Sequence, residues 1–434
     1  MVSNHSLSDF IQAAASDYGP LWPDRSDNRF RLVHIISDLS IGGAEMMLYK
    51  LLSRTDLDRF EPVVISMIDR GPLRARIEAL GIPVHTMRMK PGVPSPLGFW
   101  RLVRLMRRLK PDLVFGWMYH SCLAAQLARF CLPQRTKVFW SIHSAIDSFA
   151  LEKKLTTAVI RACALLSKLA DRVIFVSRAS QTQHGPLGYS LGRSCVIPNG
   201  INTSEFVSSK ESRGSVRAEL GLPEHAVLIG MMGRYHPMKD YANFLQAAAL
   251  ISKQYPDTNF ALIGQGIDDQ NVELRRSIRE LGLERRTRLL GERHDIPRIA
   301  AALDVFSLSS YSESFPNVIG EAMACEVSCA VTHVGDAPWI VGHAGRVVPP
   351  RDPRALADAW SEIIELGADG RITLGRAARS RVIEHFKLES VVAQYETLCS
   401  TVLARETSDE FKLTALALAG ISGLNATFDD FPAG

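Results

Sequence analysis

Two successive α/β units, each built on a parallel sheet and facing the other across a cleft, are the architecture this sequence predicts. Three observations predict it. From residue 31 onward, short apolar runs alternate with amphipathic stretches of helix length, which is the pattern of strands joined by crossover helices. The alternation stops once, in the polar, turn-rich stretch 200–226, and then resumes, as expected of a connection between domains. The chain's 434 residues are too many for one ordinary domain and suit two.

The first unit's strands are expected at 31–37, 62–68, 83–89, 112–117, 136–142, 172–177 and 194–199, with helices such as Ala44–Leu52 and Glu152–Ala170 between them. Those of the second are expected at 227–233, 259–264, 286–291, 304–310, 328–333 and 345–350. The expected division is an extension over 1–29, a first unit over 30–200, a second over 201–385, a closing helix over 386–405 and a tail over 406–434. No repeat of 20–50 residues is visible. The apolar tail segment 413–424 is too short to cross a bilayer, and no run of 18 apolar residues occurs elsewhere.

Composition narrows the function. Basic and acidic residues number 50 and 46, so nothing in the charge balance calls for nucleic acid. The seven cysteines are scattered without a C-x-x-C pair, which fits buried thiols in a reducing compartment. The N-terminus shows no basic segment followed by an apolar core, so no secretory signal is expected and the protein is expected in the cytoplasm.

The stretch "YSESFPNVIGEAMAC" (311–325) carries two carboxylates, Glu313 and Glu321, around a proline that suits a first helical turn. With Ser314 as cap, the helix is expected to begin near Phe315–Asn317, leaving Glu313 in the loop and Glu321 about one turn inside. The free N–H groups of that helix start form an anion site. Carboxylates on either side of it suit a ligand bearing both phosphates and hydroxyls.

Other segments offer supporting chemistry. Gly42 and Gly43 stand where the first strand turns into a helix, either to admit a ligand phosphate or simply to make a tight turn. In "GRYHPMKDY" (233–241), Arg234 is expected at a strand end and Lys239 at the start of the next helix, as cations for a diphosphate or as a solvated surface pair. His143 closes the apolar strand of "WSIHSA", at the edge where cleft residues gather. Trp117, Tyr119 and His120 in "FGWMYH" can stack on or bond an acceptor sugar, or pack in the core. No motif for a zinc or calcium site, a serine nucleophile or a dinucleotide fingerprint is present; the "GQG" at 264–266 lacks the third glycine. Helical stretches 99–110 and 151–172 set apolar residues on one stripe and Arg101, Arg104 and Arg108, or Lys154, Arg161 and Lys168, on another. Each is a helix packed on the sheet with a solvated basic face, or an attachment to anionic lipid.

Taken in order, the glycine loop, "IPNG" (197–200), "GR" followed by Lys239, and the Glu-x7-Glu stretch resemble the retaining family 4 glycosyltransferases of GT-B fold, two Rossmann-like domains facing each other across a cleft. The resemblance covers roughly residues 31–405. It implies that Gly42 and Gly43 line the donor phosphate, that Arg234 and Lys239 hold the nucleotide diphosphate, and that His143 faces the donor sugar. It implies that Glu313 bonds sugar hydroxyls, that Phe315, Pro316, Asn317 and Val318 surround sugar and phosphate, and that Glu321 holds the ribose. Gly264 belongs to the donor set, with Arg293, Asp295 and Ile296 of the "GERHDIP" loop (291–297) that passes the nucleobase. The final helix is similar to one that crosses back to brace the first domain. One departure is Asn202, where the family usually carries an acidic residue.

The resemblance therefore implies transfer of a sugar from a nucleotide diphosphate, UDP favoured, to an acceptor hydroxyl with retention and without a metal. The stretch 334–353 looks closest to members that build O-antigen, capsule or exopolysaccharide. That implies a sugar or polyprenyl-diphosphate-linked oligosaccharide as acceptor and peripheral contact with the inner face of the cytoplasmic membrane. The alternatives are a GT-B epimerase or phosphorylase and a non-catalytic sugar-nucleotide-binding protein.

Overall fold

The computed structural model describes residues 29–93, 95–146 and 154–404. The expected tail over 406–434 and residues 1–28 of the expected extension lie outside the described residues, as do 151–153 at the head of the second basic stretch. Among the described residues, seven parallel strands form the first sheet: β1 (Phe30–Ile36), β2 (Phe60–Ser66), β3 (Val84–Thr86), β4 (Leu113–Trp117), β5 (Lys137–Ile142), β6 (Arg172–Phe175) and β7 (Ser194–Val196). Their spatial order is β3-β2-β1-β4-β5-β6-β7. The second sheet holds β8 (Leu228–Met232), β9 (Asn259–Ile263), β10 (Thr287–Leu289), β11 (Val305–Leu308), β12 (Ser328–Thr332) and β13 (Gly345–Val348), in the order β10-β9-β8-β11-β12-β13. Every pairing is parallel, with Val33 between Val63 and Val114 in one sheet and Ile229 between Phe260 and Val305 in the other.

The strands read as continuous apolar runs because helices cover both faces. On one face of the first sheet lie Leu102, Leu105, Met106 and Leu109 of the helix Pro96–Leu109, with Ile160 and Cys163 of the helix Lys154–Leu166. On the other lie Met47, Leu48 and Leu51 of the helix Gly43–Leu52 beside Val391, Tyr395 and Cys399 of the helix Leu388–Leu403. The last helix of the described chain thus packs on the first sheet. It arrives through a strand-like contact in which Ile201 N–H donates to Phe386 O at 2.8 Å and Leu388 N–H donates to Ile201 O at 3.0 Å. A Cβ on Gly200 would lie 2.9 Å from Leu388 Cα, so the two segments passing between the sheets can run this close only with glycine there.

The polar connection contains a helix, Lys210–Glu219, capped by Ser209, whose hydroxyl accepts from Ser212 N–H. Its polarity has a buried purpose. Asp304 accepts from Arg213, Arg217 and the Leu228 N–H, which anchors the connection to the start of β8; breaking a buried pair of this kind strands the other charge.

In each sheet the strand order reverses once, between β1 and β4 and between β8 and β11. Ligands of doubly wound sheets bind beyond the carboxyl ends of the strands at such reversals. The reversals bring together the loops after β1, β4, β8 and β11. No helix among the described residues is long and apolar enough to cross a membrane.

Candidate active site

The loops after β8 and β11 meet at one ion pair. Lys239 Nζ lies 2.5 Å from Glu313 Oε1, and the Ser310 hydroxyl donates to the same oxygen at 2.8 Å. Lys239 ends a 3-10 turn, Pro237–Lys239, rather than starting the helix Tyr241–Gln254. Its position is held from below: Ser309 Oγ donates to Lys239 O at 2.9 Å and Tyr311 N–H donates to Met238 O at 3.0 Å. Gly335, at φ +50°, backs Glu313 so closely that a Cβ would stand 2.4 Å from the Glu313 carbonyl oxygen. Gly264 has φ +145°, and a Cβ there would stand 2.1 Å from the Gly233 carbonyl oxygen. Glycine is therefore required for the β9 loop to pass the β8 loop. Arg234, beside Gly233, is exposed and makes no hydrogen bond among the described residues.

The helix after Glu313 spans Asn317–Ala324. Pro316 stands just outside it as the N-cap, and no side chain caps the helix. The expectation that Ser314 would be the cap is corrected: its hydroxyl lies 2.8 Å from the Ser177 hydroxyl of the first unit. The uncapped start leaves backbone donors facing the cleft, and the helix dipole adds positive potential there. Phe315 is buried against Trp339 and Phe386, so this loop offers a ligand its backbone. Val318 packs against the same apolar cluster, and Asn317 Oδ1 accepts from Asn199 Nδ2 at 2.9 Å. Glu321 lies one turn inside, its carboxylate 3.6 Å from Lys50 Nζ of the first unit. Burial pushes the Glu321 carboxyl up, Lys50 pulls it down, and Glu205 adds a smaller push up.

On the facing side, Gly42 precedes the helix Gly43–Leu52. Its φ of −149° is open to any residue, and a Cβ there would meet the flexible end of the Glu45 side chain at 2.3 Å, which can swing aside. His143 Nε2 lies 2.8 Å from Ser141 Oγ, its ring stacks on Trp117, and its buried Nδ1 has no hydrogen-bond partner. Burial lowers its pKa to about 4, offset in part by a contact with Asn199, so the imidazole is neutral near pH 7.

Two acceptor candidates are corrected. Trp117 is fully buried, with Nε1 donating to His34 Nδ1 at 3.2 Å. Tyr119 is buried with its hydroxyl 2.9 Å from His184 Nε2. Both belong to the core. His120 alone of the three reaches an open surface, on a pocket of the first unit. Arg293 and Asp295 are also engaged: they form a two-pronged pair at 2.8 Å, extended by Glu219 and Arg298. Ile296 starts the helix Ile296–Ala300 and packs on the core.

Sequence reasoning missed the residues that join the two units: Lys50, Ser177, Asn199 and Asp336. The Asp336 carboxylate accepts from Arg178 N–H at 2.8 Å and Ala179 N–H at 2.9 Å, so a residue of the second unit adds to the Ser177 cap of a first-unit helix. A signal for Lys50 existed, since it lies seven residues after Gly43 and residues seven apart share a helix face.

Comparison with known proteins agrees with this geometry. Residues 41–205 match the model of Glycosyltransferase Family 4, and 226–366 match that of Glycosyl transferases group 1. Anabaena HepE, solved in complex with UDP, superposes with a TM-score of 0.75 at 26% identity, covering 86% of this chain and 100% of that one. N-acetyl-alpha-D-glucosaminyl L-malate synthase of Bacillus anthracis is 30% identical over 203 residues, 46% of this chain and 52% of the relative. UDP-Gal:alpha-D-GlcNAc-diphosphoundecaprenol alpha-1,3-galactosyltransferase of Escherichia coli is 33% identical over 141 residues, 32% of this chain and 36% of the relative. The matched segments thus span about half the length, or less, of these two curated relatives. Two reversed parallel sheets, a helix start framed by two glutamates, and both matched models place this chain in family 4 of the glycosyltransferases.

Proposed function

We propose that this protein transfers a sugar from a nucleotide-diphosphate sugar to an acceptor hydroxyl with retention of anomeric configuration. The observation that carries the reading is the uncapped start of the helix Asn317–Ala324 between Glu313 and Glu321. A sugar nucleotide is a diphosphate with hydroxyls at both ends, and it needs positive potential in the middle and acceptors at the ends. Glu313 takes the sugar hydroxyls, Glu321 takes the ribose hydroxyls, and the helix start lies under the diphosphate. UDP is the favoured carrier, supported by the UDP bound to Anabaena HepE.

As the glycosidic bond breaks, negative charge grows on the leaving diphosphate. Arg234, Lys239 and the helix N–H groups are placed to stabilise it before it forms, so little reorganisation is needed. The reaction on this reading needs no divalent ion. Attack comes from the face of departure, and the leaving phosphate takes the acceptor proton, which leaves both glutamates as binding groups. Neutral His143 offers a ring nitrogen to the donor sugar rather than a charge.

The acceptor side is the first unit. The exposed Lys154, Arg161, Lys168 and Arg108 and the lipid-diphosphate acceptor named for the Escherichia coli relative support a lipid-linked oligosaccharide, in cell-surface polysaccharide synthesis at the inner face of the cytoplasmic membrane. A thermal-shift and hydrolysis screen of UDP-, GDP- and ADP-sugars tests the reading, with and without EDTA, on wild type and Glu321→Gln. A shift for one donor, lost in the variant and kept in EDTA, is the expected result. No shift with any donor sinks it, and activity abolished by EDTA sinks its metal-free part.

A further inference from the structure

The donor site leaves a second concavity of the first unit unused. It is an open pocket of about 510 Å³ whose walls include Met67, Met89, Phe99, Leu123, Leu127 and Val159. Ser37 and His120 line the side where β1 and β4 end, which is the strand reversal that also borders the donor cleft. Burial lowers the His120 pKa, keeping that wall uncharged. A pocket so apolar has little to offer a nucleotide or a free sugar.

Its rim is different. Lys90 lines it, and the helix Pro96–Leu109 begins on it after Ser95. The same stretch exposes large apolar side chains, Val93 at 58%, Leu97 at 55% and Trp100 at 49%, followed by Arg101 and Arg104. The Arg104 guanidinium lies 5.2 Å from the Trp100 ring centroid. Exposed apolar and basic side chains on one helix suit the boundary between water and lipid, and a cation at the mouth of an apolar pocket suits a hydrocarbon chain with an anionic head.

We infer that this pocket holds the first isoprenoid units of a phosphate- or diphosphate-linked lipid carrier, with Lys90 at its rim receiving the phosphate. The glycan on that carrier then enters the donor cleft past His120. The inference rests on the transferase reading and gives its acceptor a binding site.

Calorimetric titration of the full-length protein saturated with UDP tests it, with farnesyl diphosphate, farnesol and inorganic diphosphate as probes. The variants are Leu127→Glu, at a residue 40% exposed where a carboxylate is tolerated, and Lys90→Ala. Farnesyl diphosphate is expected to bind wild type, about tenfold or more weakly to Leu127→Glu and about threefold or more weakly to Lys90→Ala. No binding to wild type, an affinity unchanged in Leu127→Glu, or inorganic diphosphate binding as tightly as farnesyl diphosphate overturns the inference. So does attachment to anionic phosphatidylglycerol vesicles without farnesyl diphosphate binding, which assigns the stretch to bare membrane contact. UDP titration of the same proteins prepared without UDP separates the two readings: lost UDP binding strikes the transferase, while lost farnesyl diphosphate binding beside intact UDP binding strikes the pocket alone.

Discussion

Lys50 Nζ and Glu321 Oε1 face each other at 3.6 Å between the two units, both side chains largely buried. The Lys50 ammonium also reaches the carbonyl of Gly200 at 3.5 Å, in the segment that links the sheets. The orientation of the Glu321 carboxylate, proposed to receive the ribose, is therefore set by the opposite unit.

Removing that ammonium leaves a buried carboxylate with no opposing charge. We predict that Lys50→Met raises the donor KM about tenfold with a smaller change in kcat, since removing one partner of a buried ion pair strands the other charge and tenfold corresponds to about 1.4 kcal/mol. Lys50→Arg restores most of it. Lys50 pulls the Glu321 carboxyl down against the upward push of burial and of Glu205. Without Lys50, Glu321 takes up its proton at a higher pH, so on acidification the donor KM of the variant climbs before that of wild type. Superimposable pH profiles of the two would show that Lys50 has no hold on Glu321.

Lys239 and Glu313, at 2.5 Å, make a different prediction because each is proposed to hold its own part of the donor. Glu313→Gln keeps the shape but gives up the charge that holds Lys239, so kcat is expected to fall by at least about tenfold. A double variant with Lys239→Met should lose less than the two single losses combined, because each single change already breaks the shared contact. Full additivity in steady-state rates would mean that the pair acts as two independent groups.

The alternation of apolar runs with amphipathic stretches made both sheets legible, because parallel strands buried on both faces leave almost no polar position to confuse the pattern. That same double burial hid the fate of Trp117. A strand-end tryptophan can point to the cleft or to the core, and only the register with β1, which puts His34 within reach of its N–H, decides for the core. The glutamate pair was legible because both carboxylates lie within one loop and helix. The contacts across the cleft were not: Asp336 stands 158 residues from Arg178, and Asn199 stands 118 from Asn317, and no local pattern encodes such distances. Ser314 shows the cost of local reasoning, since a residue well placed to cap its own helix turns instead to Ser177.

Asp336 supplies a prediction about the joint itself. Its two oxygens each accept one backbone N–H at the start of the helix Arg178–His184, and the Arg178 guanidinium lies 4.3 Å from the Trp339 ring centroid. Asn in place of Asp turns an acceptor into a donor against one of those N–H groups. Asp336→Asn is expected to lower stability by about 1–3 kcal/mol, read as a shifted urea midpoint at unchanged slope. An unchanged midpoint would mean that the Ser177 cap, whose hydroxyl accepts from Ser180 N–H, suffices for the helix start.

The last prediction concerns acid. His184 is fully buried, with Nδ1 donating to Ser180 O at 2.7 Å and its Nε2 2.9 Å from the Tyr119 hydroxyl; the Ser180 contact favours the charged ring, but burial outweighs it. Burial lowers its pKa to about 4, and that of His34, whose Nδ1 accepts from Trp117, to about 3. In the unfolded chain both titrate near 6.5. As pH falls below that value the unfolded state takes up protons that the folded state refuses, so stability drops with pH down to the folded pKa values. The slope is about 1.4 kcal/mol per pH unit for each histidine inside the window. Urea unfolding at pH 7, 6, 5 and 4.5 measures it, and His184→Gln should flatten the decline by the share of one histidine. A decline as steep in the variant as in wild type would assign the acid sensitivity to other groups.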